Sequence, residues 1–73
     1  MNVLPALQAT LDERAVAITV ARQAVRDAKS LHEARVATRE VIWRRIEHAV
    51  AKRVIAEYLS REIAGMLEAA FAA

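Results

Sequence analysis

Seventy-three residues make one domain at most, and a chain this short buries only about 60% of the surface its unfolded form exposes. It has no cysteine, so neither disulfides nor thiolate metal sites can reinforce a small core, and self-association is the remaining support. The net charge is +2 from eleven basic and nine acidic residues. It is spread unevenly, at +1 over residues 1–30, +3 over 31–54 and −2 over 55–73.

The apolar share is 56%, much of it alanine, which favours helix strongly and buries little area. Met1-Asn2-Val3-Leu4-Pro5 lacks a basic n-region and a following apolar block, and no run of eighteen apolar residues occurs. The expectation is therefore a cytoplasmic protein without a signal peptide or a membrane span.

Asn2 suits a helix cap and Pro5 a first turn. A first helix is predicted over about 4–29. Leu4, Leu11, Ile18 and Val25 recur every seven residues, widened by Leu7, Ala15, Ala21 and Ala28, with Gln8, Asp12, Thr19, Gln23 and Arg26 on the other side. Val16 and Val20 fall off that stripe. Nothing between Ala28 and Ala34 is glycine, proline or asparagine. The turn is placed at Lys29-Ser30 because Ser30 with Glu33 can form a capping box.

A second helix is predicted over about 31–71, with 59–60 as the one place where Ser60 could cap a third. Glu33, Glu40 and Glu47 repeat every seven residues and mark a solvent face, with Arg44 close to the same line. The apolar side centres on Ile42, Ile46 and Val50 with Trp43 at its border, then drifts to Ile55, Leu59, Ile63 and Met66. A continuous helix that buries one face against the first helix and another against a second chain accounts for the drift.

The fold class that follows is all-α. A helical hairpin, short helix first and long helix second, is expected to pair as a homodimeric four-helix bundle. Leu11, Ile18, Val25, Ile42, Ile46, Leu59 and Ile63 are its expected core. The acidic end and basic middle of the long helix favour an antiparallel pairing.

His32 and His48 do not have the spacing of a helical metal pair, and no glycine-rich phosphate loop or nucleophile elbow occurs. No catalytic, metal or cofactor site is assigned. Arg35, Arg39 and Arg53 bracket the apolar patch, and Trp43 with Tyr58 and the nearby arginines has the composition of an interface hot spot. Arg39, Trp43, Arg53 and Tyr58 are thus the expected partner-binding residues of a small adaptor or inhibitor. The basic segment 35–53 leaves nucleic acid as an alternative partner, and a subunit of a larger assembly is a third reading.

Glu13-Arg14, Arg39-Glu40 and Ala56-Glu57-Tyr58-Leu59-Ser60-Arg61 are loosely similar to the all-helical chorismate mutases, small intertwined dimers with a long first helix. That resemblance implies an anionic substrate held by Arg14, Arg39 and Glu40. The chain departs from the pattern where that family has a lysine about three turns after the first arginine. Val25 stands there, and Lys29 comes one turn late.

Overall fold

A computed structural model describes residues 3–72 and shows an all-α helical hairpin of two elements, α1 (Leu4–Arg26) and α2 (Leu31–Phe71). The molecule measures 66 × 16 × 13 Å and has a radius of gyration of 18.2 Å, where a compact chain of this length would have about 11 Å. It is a rod whose length is that of α2.

α1 opens with Pro5 in its first turn and ends at Asp27, whose amide still donates to the Gln23 carbonyl. The Asn2 cap lies outside the described residues. α1 ends three residues earlier than the sequence suggests, because the connection needs its own backbone. Ser30 is extended (φ −144°, ψ 162°) and its hydroxyl accepts from the Glu33 amide at 3.1 Å. The Glu33 carboxylate reaches back to the Lys29 amide at 2.9 Å. This is the expected capping box, with the reciprocal bond moved one residue upstream. Residues 27–30 are thereby left to reverse the chain. α2 then runs unbroken through Leu59-Ser60 to Phe71.

Two rows of side chains join the helices. On α1 they are Leu4, Leu7, Leu11, Arg14, Ile18, Ala21, Val25 and Ala28; on α2 they are Ala34, Ala37, Val41, Arg44, His48, Ala51, Ile55 and Tyr58. Apart from Ala17 and Glu47, every described residue that is not exposed belongs to one of these rows. The spacing alternates three and four, the heptad pattern of an antiparallel coiled coil. Ala21, 5% exposed, is the single buried residue among the described residues. Alanines on both sides of the seam let the two backbones approach closely.

This seam corrects the solvent face expected for α2. Arg44 and Glu47 turn toward α1, where Glu47 accepts from Arg14 across the seam and from Arg44 at 3.1 Å. Arg44 also meets Glu40 at 2.7 Å. The physical reason is that two cations inside the seam, Arg14 and Arg44, require a carboxylate between them. Leu11, Ile18 and Val25 are half-buried in the hairpin, whereas Ile42, Ile46, Leu59 and Ile63 are exposed in the single chain.

Candidate interaction surface

Tyr58 marks the level at which α1 runs out. Its hydroxyl donates to Glu62, one turn on in the same helix, at 2.7 Å. Beyond Tyr58, residues 59–72 are all exposed. The thirteen helical residues 59–71 at 1.5 Å each make an overhang about 20 Å long.

On the side of α2 turned away from α1, a second heptad row runs through Val36, Arg39, Trp43, Ile46, Val50, Arg53, Glu57, Ser60, Ala64, Leu67 and Phe71, all exposed. In a heptad helix this row lies close to opposite the first. Trp43 is 59% exposed, Ile46 49% and Phe71 83%, and Ile42 and Ile63 flank the row and are exposed as well. Large apolar side chains left in water at this density mark a contact surface.

Of the expected partner-binding residues, Arg39, Trp43 and Arg53 share this outward row, with Arg53 paired to Glu57 at 3.4 Å. Tyr58 is not with them, because it belongs to the seam. The Glu62 hydrogen bond, partial burial and the Glu62 charge together raise its phenol above the usual tyrosine range, against a smaller lowering by the Val3 amide. Arg14, Arg39 and Glu40 are not gathered around one cleft, since Arg14 is engaged by Glu47 and Glu40 by Arg44.

Two of the hairpin's grooves bear on this surface. One, of about 410 Å³, is apolar and walled by Trp43, Ile46, Val50 and Val54 of α2 and by Leu7 of α1, with Arg14 and Glu47 in its lining. The other, of about 430 Å³, gathers Arg22, Arg45, Lys52 and His48 beside Ile18 and Thr19, with no carboxylate in its lining. Sequence reasoning missed this second cluster because Arg22 reaches it from α1, and only the hairpin's phase brings the two helices' cations together. Among the described residues no group of three His, Asp or Glu side chains is placed to hold a metal. No helix there is long and apolar enough to cross a membrane.

These features define a class, an antiparallel two-helix coiled-coil hairpin with a second, unpartnered heptad face on its longer helix. Comparison with protein-family models, curated proteins and solved structures gives no match for this chain.

Proposed function

We propose that this chain is a non-enzymatic protein–protein interaction module, an adaptor or inhibitor that acts as a helical homo-oligomer through the outward face of α2. One observation carries the reading. The large aliphatic and aromatic side chains of α2 lie chiefly on the face turned away from α1, while its seam toward α1 is rich in alanine. A helix patterned in this way has a second partner to pack against. A cytosolic setting goes with a chain that carries no cysteine.

The test is the absolute mass in solution of the native chain and of Ile46→Asp. Ile46 is outside the α1 seam, so the variant keeps the hairpin and its helical circular dichroism. The native chain is expected at twice 8.1 kDa and the variant at the monomer mass. A variant that remains a dimer would remove the outward face from the reading.

The cationic groove supports a second reading. Arg22, Arg45 and Lys52 have no ion pair among the described residues and face a groove without carboxylates. Such a surface suits the phosphate backbone of a nucleic acid, and binding there would weaken steeply with salt.

A further inference from the structure

The second heptad row has an unusual internal order. Its N-terminal half carries Arg39, Trp43, Ile46, Val50 and Arg53, and its C-terminal half Glu57, Ser60, Ala64, Leu67 and Phe71. Trp43, Ile46 and Val50 fall opposite the smaller Leu67, Ala64 and Ser60 when the row is laid against its own reverse, and Arg53 falls opposite Glu57, with Arg39 opposite Phe71. From this order we infer that the outward face of α2 is covered by the same face of a second copy, antiparallel, with the two-fold axis near Ile55. The inference rests on the homo-oligomer reading above and adds the orientation and the register.

In that register Trp43 meets the other copy's Leu67, Ile46 meets Ala64, Val50 meets Ser60, and Arg53 meets Glu57. Trp43, Ile46 and Val50 each face a smaller side chain, as knobs-into-holes packing favours, and Arg39 meets Phe71 at the ends of the row. The parallel arrangement sets Arg39 on Arg39, Arg53 on Arg53 and Glu57 on Glu57, which is repulsive at all three layers. Sliding the antiparallel pair by one heptad in one direction puts Ile46 against Glu57 and Val50 against Arg53. Sliding it the other way carries Trp43 past Phe71 and leaves it in water. Only the register centred near Ile55 both covers Trp43 and pairs Arg53 with Glu57.

Area agrees with the need for such a cover. The chain exposes 6014 Å², whereas a folded monomer of its mass exposes roughly 4,500 Å². The excess, about 1,500 Å² per chain, comfortably exceeds the roughly 800 Å² per partner that a stable interface buries. Because the row meets its own copy about a two-fold axis, the contact is isologous and closes as a dimer. The net +3 middle and net −2 end of α2 lie alongside each other in this pairing and steer the two copies into it.

Single-cysteine variants read the register directly, since the chain has no native cysteine. Val50 and Ser60 are exposed in the single chain, so Val50→Cys and Ser60→Cys leave the hairpin seam intact. In the antiparallel register, like positions are about 15 Å apart along the axis, far beyond the roughly 4.4–6.8 Å between Cα atoms that a disulfide spans. Each variant alone is therefore expected to resist mild oxidation, while an equimolar mixture gives a covalent heterodimer joined through the two introduced thiols. Crosslinking of each variant to itself would replace this register with the parallel one. A dimer by light scattering that forms no crosslink in the mixture would overturn the register and leave self-association standing. A monomer would overturn both.

Discussion

Glu47 shows how one side chain holds two helices in phase. Its carboxylate lies between Arg14 of α1 and Arg44 of α2, and Glu40 closes the alternation on the far side. Part-exposed pairs of this kind contribute about 1 kcal/mol or less each, so the cluster adds little net stability. Its larger effect is on register, because sliding α1 by one turn would strand Arg14 against apolar neighbours with no carboxylate. Tyr58, at the open end of the hairpin, makes its hydrogen bond within α2, to Glu62. Deprotonation would remove the donor to Glu62 and set two negative charges together. Its pKa is raised on folding, so this contribution is complete below about pH 10 and is lost as pH rises through the folded-state value. The chain has one tyrosine, so its ultraviolet titration reads this group alone. A midpoint above about 10 is expected, moving down in Glu62→Gln. A native midpoint at or below the ordinary value would mean that the Tyr58–Glu62 hydrogen bond is not formed in solution.

At the scale of the element, α2 is stabilised unevenly along its length. Its start has the reciprocal Ser30–Glu33 cap, and its middle leans on α1. Its last turns end in a backbone C-cap at Ala72 but have no neighbouring helix in the single chain, and Gly65 lies within them. Helix already nucleated upstream can propagate through this segment, but glycine in a helix interior costs about 1 kcal/mol relative to alanine. A Cβ at Gly65 would meet nothing within 4 Å, and the position extends the α1-side seam, away from the outward row. Gly65→Ala is therefore expected to stabilise the helix by about 1 kcal/mol, read from urea melts at matched protein concentration. A loss of stability would show that another backbone approaches the glycine closely in the assembled state.

At the scale of the whole molecule, the hairpin resembles half of a structure. One buried residue among the described residues, Ala21, is a thin core for a chain whose backbone ordering costs about 1–2 kcal/mol per residue, and the proposed association would supply the missing burial. Back-to-back pairing of the long helices puts each α1 on the outside, so the assembly is a layer of four helices with α2 and its copy at the centre. The Arg53–Glu57 pairs at its middle can be tested by charge reversal. Arg53→Glu and Glu57→Arg each place like charges across the two-fold, and each is expected to weaken self-association roughly three- to thirty-fold. Mixing the two variants restores opposite charges across the axis while the pair within each chain stays broken. Recovery of near-native affinity in the mixture, by sedimentation at several dilutions, assigns the effect to the contact between chains. No recovery would assign it to the helix itself.

The helices themselves were legible because their causes are local. Ser30 with Glu33 announces the start of α2, Pro5 the first turn of α1, and the absence of glycine and proline over 31–64 a long uninterrupted rod. The α1 stripe was legible too, since Leu4, Leu11, Ile18 and Val25 are both its largest apolar residues and the ones that face α2. The inner face of α2 was hidden for the opposite reason. Its members include Ala34, Ala37 and Ala51 with Arg44 and His48, small or polar residues that lose to Ile42, Ile46 and Val50 in any count of hydrophobic periodicity. Only tertiary structure decides which face of α2 meets α1. That choice depends on how closely two backbones can approach through alanines and on where the turn at 27–30 sets the phase. Once α1 takes the alanine face, many of the large apolar residues are left off it. The sequence by itself determined that α2 carries more apolar surface than α1 can cover, and the tertiary structure decided which residues make up the exposed surplus, with Trp43, Ile46 and Val50 on the outward row and Ile42 and Ile63 beside it.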